Sequence, residues 1–302
     1  MTTLLVGHGL LGSRLRQVLE RRGEDVRVAA VPWGDPQAAL AALLRAAADA
    51  GAGWRLAWCA GAAVVGADTS ATDAEVELVR RFVADLDQAP QAALLASSAG
   101  GVYAGSAGPP FTESHDAHPV SPYGRAKLDI ESAFRSLAAS GTRLVIGRLA
   151  NLYGPGQDLG KQQGLVSQLC LSRLTGRPLG IYVSVDTLRD YVYVDDAAAV
   201  AAALLDRVAG DPPGTVVVKI VATGRTTSVA GLVSAATRAF RRRPPVVYAA
   251  RSGSGQVRDL RLRSHVWTDL DALVTTPLVV GLRATAEDIA ARHRHSGLVL
   301  TP

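Results

Sequence analysis

Cysteine is scarce in this chain, and the scarcity narrows the classes of protein it can belong to. Only two cysteines, Cys59 and Cys170, occur in 302 residues, and both have apolar neighbours. Two such thiols do not make a disulfide framework, so we expect reduced thiols and a cytoplasmic protein. The six histidines lack further ligands at zinc-site spacing, and we predict no metal site.

Long apolar runs are also missing. Stretches such as "LVVGL" are far shorter than a bilayer crossing requires, so we expect no membrane association. The first residues, "MTTLLVGHG", contain neither a basic region nor a cleavage site. We interpret them as a first strand and not as a signal peptide.

Lysine is rare as well. The net charge of +5 is carried almost wholly by arginine, and only three lysines occur. No basic stripe is interleaved with aromatic residues, so nucleic acid is not an expected partner. Scattered positive charge instead favours a small anionic substrate.

Apolar strands alternate with amphipathic helices from the first residue to about residue 152. This alternation predicts an α/β fold with a Rossmann-like, doubly wound parallel sheet covered on both faces. After a Gly- and Gln-rich loop, strands and helices no longer alternate regularly, and we expect a smaller C-terminal α/β lobe. We assign residues 1–152 to dinucleotide binding and 153–302 mostly to substrate binding. A segment near 189–208 is expected to cross back onto the first domain.

A glycine-rich loop joins the first strand to the first helix. In "VGHGLLGSRL", Gly7, Gly9 and Gly12 have the G-x-G-x-x-G spacing. The first glycine allows a tight turn, the second lets a pyrophosphate approach the backbone, and the third lets helix and strand pack closely. The helix start, with the amides of Leu10 and Leu11, supplies donors for phosphate. A plain strand-to-helix turn would not need all three glycines, so we predict a dinucleotide site.

The end of the second strand bears on which dinucleotide binds. Ala29 and Ala30 stand where NAD-binding proteins usually place an acidic residue. The missing carboxylate removes a charge that would repel a 2′-phosphate, so NADP (NADPH) is favoured and NAD stays open. Trp33 either lies over the adenine or merely covers the loop.

The stretch "SPYGRAK" places Tyr123 four residues before Lys127 at the start of an amphipathic run. On a helix the two side chains share a face. A free tyrosine has a pKa near ~10, and a nearby ammonium group lowers it by favouring the phenolate. The pair is therefore a candidate proton donor and acceptor, and Lys127 can also reach the ribose of the cofactor.

Six motifs occur in order along the chain: the glycine loop, "WCAG" at 58–61, "SSAGGVY" at 97–103, "SPYGRAK" at 121–127, "RLANLYGPG" at 148–156 and "RDYVYVDD" at 189–196. With them the chain resembles an extended short-chain dehydrogenase/reductase of the nucleotide-sugar epimerase, dehydratase and reductase type. The resemblance implies that Tyr123 and Lys127 are a catalytic pair. It also implies that both contact the cofactor, as does Ala60.

The sequence leaves two candidates for the third catalytic residue. The family usually places Ser or Thr three residues before the valine of its Val-Tyr motif, but Ala99 stands there. We predict that Ser98, at the usual distance from Tyr123, hydrogen-bonds the substrate carbonyl, with Ser97 as the alternative. Family members that dehydrate carry an Asp–Glu pair after this serine. Here the two residues are Ala99 and Gly100, which argues against a dehydratase.

The resemblance also implies substrate contacts. Asn151 and Arg189 match residues that bind the sugar diphosphate in relatives, although a turn and a salt bridge are alternative roles. Tyr182 either lines the nucleobase pocket or packs in the core. Lys161 lies in a loop expected to cover the substrate, and Arg251 is a further diphosphate candidate.

These residues together imply an NADPH-dependent reductase that acts on a keto group of a nucleotide-activated deoxysugar, such as a dTDP-4-keto-6-deoxyhexose. A nucleotide-sugar 4-epimerase with tightly held NAD would use the same residues and stays open. A non-catalytic dinucleotide sensor is the alternative from another class, but it would not need the acid–base pair. The expected partner is a nucleotide-diphosphate sugar, and a homodimer is compatible with this interpretation.

Overall fold

The computed structural model describes residues 1–61, 69–161, 164–249 and 257–296. The strands are β1 (Thr2–Val6), β2 (Asp25–Val28), β3 (Arg55–Trp58), β4 (Ala92–Ser98), β5 (Arg143–Leu149), β6 (Asn151–Tyr153), β7 (Leu179–Ile181), β8 (Leu188–Tyr193), β9 (Val216–Val221), β10 (Thr226–Ser228) and β11 (Val246–Tyr248).

The α-helices are α1 (Leu10–Arg21), α2 (Pro36–Asp49), α3 (Thr69–Ala84), α4 (Ala99–Val102), α5 (Pro122–Arg135), α6 (Leu165–Thr175), α7 (Val194–Ala209), α8 (Val229–Phe240) and α9 (Leu278–Ser296). Short 3-10 helices cover Ser136–Ser140, Leu159–Lys161 and Thr268–Leu273. Within the described ranges, no helix combines the length and the apolar character needed to span a bilayer.

Six strands form one parallel sheet in the order β2–β1–β3–β4–β5–β9. Along the chain the sheet grows from β1 first to one side and then to the other, so the strand order reverses between β1 and β3. In sheets of this kind a crevice for ligands opens at the carboxyl ends of the strands that flank the reversal. The sheet and its flanking helices confirm the predicted doubly wound α/β fold.

Both faces of this sheet are buried, because side chains alternate along each strand. On β1, Leu4 and Val6 join a core with α2, α3 and α5, whereas Leu5 joins a second core with α1 and α7. Burial on both faces explains why the strands are apolar without alternation in the sequence.

Two small sheets and the helices α6, α8 and α9 form a separate part of the fold. A three-stranded sheet has the order β10–β8–β6, and β7 pairs with β11. Helices α6, α8 and α9 share a third core that contains Leu169, Leu232 and Leu282. Helix α7 packs against α1, and β9 extends the large sheet beside β5. The division predicted from the sequence assigns only residues 1–152 and a segment near 189–208 to the first domain. Strand β9 also belongs to the large sheet, so that division omits one of its strands.

Candidate active site

The glycine loop closes tightly against the end of the neighbouring strand. Gly7 follows β1 with a φ of +92°, a conformation that glycine adopts far more readily than other residues. A Cβ atom on Gly7 would collide with the backbone of Ala60, which follows β3. The backbones of these two predicted cofactor residues therefore touch at the point where the strand order reverses.

The start of α1 fits a pyrophosphate group. A Cβ on Gly9 would meet open space, whereas one on Gly12 would collide with the carbonyl oxygen of Gly7. The first turn of α1 contains no acidic residue. Its backbone N–H groups, including those of Leu10 and Leu11, have no partner within the helix. Open space, free donors and the positive end of the helix dipole together form a cradle for phosphate.

The end of β2 is open where the adenine ribose of a dinucleotide would lie. The N–H of Ala29 still donates to the carbonyl of Leu5 at 2.9 Å, and Ala30 is exposed. Trp33 follows in the loop and is 45% exposed, so it is not a core residue. The carboxylate of Asp35 accepts bonds from two amides of the first turn of α2, at 3.0 and 3.1 Å. These residues fit either NAD or NADP.

Helix α5 begins so that two predicted catalytic residues come together. Ser121 accepts a hydrogen bond from the N–H of Gly124 at 3.1 Å, and Pro122 is the first helical residue. Both residues favour a helix start at this point. Tyr123 therefore lies in the first turn and Lys127 one turn later, with its Nζ 5.6 Å from the centroid of the Tyr123 ring.

Ser98 lies beside Tyr123 because a glycine separates them. Ser98 ends β4, and its Oγ accepts the N–H of Gly101 at 3.1 Å. A Cβ on Gly101 would be 3.0 Å from Cε1 of Tyr123 and 3.4 Å from Cβ of Ser98. Within the described residues, the hydroxyl hydrogen of Ser98 has no acceptor. Ser98 can therefore donate this hydrogen to a ligand next to Tyr123.

Ser97 points to the other face of β4, into a buried polar network. Its hydroxyl donates to the carboxylate of Glu131 at 2.6 Å. Arg148 donates to both oxygens of Glu131, at 3.0 and 2.7 Å, and to the hydroxyl of Tyr103 at 2.7 Å. The network joins β4, β5 and α5 directly behind the site. The hydroxyl of Ser97 is engaged there, so Ser98 is the serine that lies beside Tyr123.

Helix α3 contributes a residue that the sequence motifs do not point to. Glu75 accepts a hydrogen bond from Nζ of Lys127 at 3.2 Å, and both side chains are largely buried. Glu75 lies three residues after Thr72 and four before Val79, which are both buried. That helical spacing was the available signal, because it places an acid at the edge of a buried face.

Two predicted substrate residues lie on neighbouring strands. Asn151 opens β6, and its side-chain amide donates to the carbonyl of Asp190 in β8 at 2.9 Å. Arg189, also in β8, is half-buried and donates to the carbonyl of Leu188 at 2.8 Å. In the part of the chain that the structure describes, Arg189 forms no ion pair. Burial lowers the pKa of its guanidinium, because the charged form loses solvation there.

The other predicted substrate residues lie apart from this pair in the fold. Tyr182 follows β7, is 51% exposed and folds over Gly180, where a Cβ would be 2.6 Å from its hydroxyl. It is therefore not a core residue. Lys161 ends a 3-10 helix, and its side chain lies outside what the structure describes. Arg251 lies outside the described residues.

The two cysteine thiols are held in their protonated form. Burial raises the pKa of Cys59 to about 12 and that of Cys170 to about 12, so both thiols stay protonated. No group of His, Cys, Asp and Glu among the described residues is arranged to hold a metal ion. The phenol of Tyr123, the hydroxyl of Ser98 and the ammonium of Lys127 with its partner Glu75 are polar groups that meet at the crevice.

Comparison with known proteins gives a family-level match. The sequence model of the NAD dependent epimerase/dehydratase family matches residues 3–218. The dTDP-4-dehydro-6-deoxyglucose reductase of Escherichia coli is 32% identical over 105 residues, which are 34% of this chain and 33% of that protein. A putative UDP-glucose 4-epimerase of Methanocaldococcus jannaschii is 32% identical over 124 residues, 41% of this chain and 39% of that protein. The chain thus matches only about a third of the length of these curated relatives.

A solved structure resembles the whole chain. The crystal structure of UDP-glucose 4-epimerase with UDP-glucose from Thermotoga maritima superposes with a TM-score of 0.79. It is 23% identical in sequence, and the superposition covers 97% of this chain and 99% of that one. At this identity the likeness concerns the fold.

Proposed function

The chain belongs to the NAD dependent epimerase/dehydratase family, and on that premise we propose that it reduces a keto group on a nucleotide-activated deoxysugar, with NADPH as the favoured cofactor. Family membership confirms the resemblance carried by the six sequence motifs. The observation that carries the proposal is the meeting of Tyr123, Lys127 and Ser98 beside the glycine loop, with no carboxylate at Ala99 or Gly100.

The cofactor would lie along the carboxyl ends of β1 and β3. Backbone donors of Gly9, Leu10 and Leu11 would hold its pyrophosphate at the start of α1. Lys127 would donate to the ribose next to the nicotinamide, and Ala30 and Trp33 would border the adenosine end. When bound, the reduced nicotinamide supplies the hydride that adds to the carbonyl carbon of the sugar.

Tyr123 is the proton donor in this scheme. Hydride addition converts the carbonyl oxygen into an alkoxide, and Tyr123 gives that oxygen its hydroxyl proton, so that the product is an alcohol. The ammonium of Lys127, 5.6 Å from the ring centroid, favours the phenolate that is left behind. Solvent then returns one proton to Tyr123, which balances the reaction.

Ser98 would orient the substrate. Its Oγ accepts a bond from Gly101, so its hydrogen is directed away from the backbone of α4. A donor at this position stabilises negative charge as it develops on the carbonyl oxygen. Ser98 and Tyr123 would therefore bind the same oxygen from two sides.

The substrate diphosphate would be bound by Arg189. This guanidinium is half-buried and forms no ion pair within the described residues, and its planar fork suits two phosphate oxygens. Asn151 would lie beside the sugar and Tyr182 would border the nucleobase, with Lys161 and Arg251 as further candidates. We accordingly propose dinucleotide binding for residues 1–152 and substrate binding mostly for 153–302.

Dehydration is a poor fit to these residues. Expulsion of a hydroxyl group needs an acid and a base next to the reacting carbon. The two positions after Ser98 are Ala99, which is buried, and Gly100, where a Cβ would meet Leu260 at 3.9 Å. Neither position provides an acid or a base.

A 4-epimerase is the second candidate. The matched segment of the putative UDP-glucose 4-epimerase, 124 residues, is longer than that of the reductase, 105 residues. An epimerase would use Tyr123, Lys127 and Ser98 in the same roles, but it would take the hydride from the sugar and return it to the opposite face. Its cofactor would remain bound and unconsumed.

Incubation with dTDP-4-keto-6-deoxyglucose tests the choice. We expect one NADPH to be consumed for each sugar reduced, read from nicotinamide absorbance, and one alcohol epimer to accumulate, read by anion-exchange chromatography. The value of kcat/KM should be higher for NADPH than for NADH. Interconversion of UDP-glucose and UDP-galactose without net loss of NADPH, by protein that releases NAD on gentle denaturation, would establish the epimerase instead.

Inactivity with both substrate types would have a separate meaning. Binding of NADPH without turnover of any nucleotide sugar would favour the dinucleotide sensor and refute both enzymatic proposals. Quenching of tryptophan fluorescence, with Trp33 near the expected adenosine site, provides the binding measurement.

A further inference from the structure

Lys127 has a charged partner, Glu75. Its Nζ lies 3.2 Å from Oε1 of Glu75, and the two side chains are 7% and 8% exposed. Glu75 belongs to α3 and Lys127 to α5, so the ion pair joins two helices that pack on the same face of the large sheet. A buried pair of this kind is screened less by solvent than a surface salt bridge, and removing one partner leaves a buried charge uncompensated.

The pair lies at the crevice and not elsewhere along the helices. A Cβ built on Gly61, three residues past the end of β3, would be 3.1 Å from Nζ of Lys127 and 3.9 Å from Oε1 of Glu75. Gly61 directly follows Ala60, which touches the glycine loop. The carboxylate therefore lies where Lys127 would meet the cofactor.

We propose that Glu75 is a positioning residue that fixes the ammonium group of Lys127 beside Tyr123 and offsets part of its positive charge. This inference rests on the proposed function, since it concerns the same acid–base pair. It adds a third charged member whose effect on Tyr123 is opposite to that of Lys127. The ammonium group favours the phenolate, whereas the carboxylate disfavours it.

Other charged groups around α5 are engaged with one another. Glu131 pairs with Arg148 of β5 and with Arg135, and Asp129 lies 3.9 Å from Arg80 of α3. From β3, Cys59 stays protonated because burial raises its pKa to about 12. From β4 and α4, the side chains next to Tyr123 are uncharged. Among the described residues of these elements, Lys127 lies 5.6 Å from the Tyr123 ring centroid, and Glu75 is its ion-pair partner.

The experiment is a titration of the Tyr123 phenolate by ultraviolet difference absorbance in protein without cofactor. The spectrum of each variant carrying Tyr123→Phe is subtracted from that of the same variant with Tyr123, which cancels the signals of the other tyrosines. Burial already raises the pKa of four of them, to about 12 for Tyr191. Because the Tyr123 and Lys127 protons are coupled, the apparent pH of phenolate formation is the quantity compared.

Glu75→Gln keeps the shape of the side chain and an oxygen that accepts from Lys127, but it removes the charge. We expect phenolate to form at a lower pH, because a negative charge near Tyr123 is lost. The melting temperature should fall, since Lys127 keeps a hydrogen-bond acceptor but loses its buried counter-charge. Glu77→Gln removes the same charge from an exposed position two residues along α3 and should leave the titration unchanged. An unchanged or raised titration in Glu75→Gln would overturn the inference.

A second pair of variants separates the charge of Glu75 from its contact with Lys127. Lys127→Met should raise the pH of phenolate formation, and adding Glu75→Gln to it should then lower that pH again. If Glu75 only braces α3 against α5, both Glu75 variants would lose thermal stability without any shift in the titration. Because the readout needs neither cofactor nor substrate, it remains decisive even if the protein reduces no nucleotide sugar.

Discussion

The two parts of the molecule that carry the expected site residues, the large-sheet side and the part with the small sheets, are built differently. On the large-sheet side, the expected catalytic groups lie on β4, a strand of seven residues, and α5, a helix of fourteen residues. Both elements contribute buried residues to the same hydrophobic core. On the other side, the expected substrate residues sit on or beside β6 and β7, which have three residues each, and on β8. Proton transfer needs fixed distances, whereas substrate choice needs surfaces that can vary, and the architecture separates the two demands.

The charges on the two sides differ in the same way. Behind Ser98, the carboxylate of Glu131 accepts hydrogen bonds from Ser97 and Arg148. The charges and hydrogen-bonding groups of this network are therefore paired within the protein. On the other side, the Arg189 guanidinium donates to a backbone carbonyl, that of Leu188, and forms no ion pair with any described residue. A self-satisfied network stabilises the fold, whereas a half-buried cation without a carboxylate partner is suited to an anionic ligand.

The largest effect that separates the two sides should come from Arg148→Met. Removing one partner leaves the Glu131 carboxylate buried without its main donor, which typically costs about 3–5 kcal/mol of unfolding free energy. Urea denaturation followed by circular dichroism measures it. Arg258→Met removes an exposed partner of Asp186 and should cost under about 1 kcal/mol. Equal losses in the two variants would mean that the network does not stabilise the catalytic side.

Tyr123→Phe should instead spare the fold and remove the chemistry. The phenol oxygen is the only atom lost, so melting temperature and cofactor affinity should stay close to those of the natural protein. Turnover should fall by ~10²-fold or more, because the proton donor is gone. Stopped assays of NADPH consumption give the rate. A fall of only a few-fold would remove Tyr123 from the catalytic role.

The main features of the large-sheet side could be predicted from the sequence, and the reason is physical. Apolar strands, the glycine loop and the Ser121–Pro122 helix start are local patterns, and each specifies backbone geometry within a few residues. The parallel sheet and the meeting of Tyr123 with Lys127 follow from them. The role of Gly101 had a weaker signal, a glycine inside "SSAGGVY", because its contact with Tyr123 depends on how α4 meets α5.

Contacts between residues far apart in the sequence could not be predicted from it. Glu75 and Lys127 are 52 residues apart, and Arg148 and Tyr103 are 45 apart, so no local spacing links them. The pairing of β9 with β5 also depends on how the chain returns after α7. On the substrate side, strands such as β7 have only three residues, too few to show a period in the sequence.

Arg189→Ala tests the substrate side directly. Loss of a charge-assisted contact that is the same in ground and transition states should raise KM about 10- to 100-fold, with little change in kcat. Arg189→Lys keeps the charge but not the fork, and should lie between the two. Steady-state kinetics with the nucleotide sugar measure both constants. A fall in kcat at constant KM would show that Arg189 acts in the chemistry and not in binding.

The smallest effects are expected from two adjacent serines, Ser98 and Ser97, of which one is expected to act in catalysis and the other in stability. Ser98→Ala removes a donor expected at the carbonyl oxygen and should lower kcat about tenfold, the equivalent of one hydrogen bond of ~1.4 kcal/mol. Ser97→Ala removes a donor from Glu131 instead, so it should lower the unfolding free energy by about 1–2 kcal/mol and leave kcat within a few-fold. Both variants lose the same hydroxyl group, one residue apart on opposite faces of β4, so each serves as the control for the other. If Ser97→Ala impaired kcat more than Ser98→Ala, the catalytic face of β4 would be the one that contacts Glu131, and the assignment of Ser98 would be wrong.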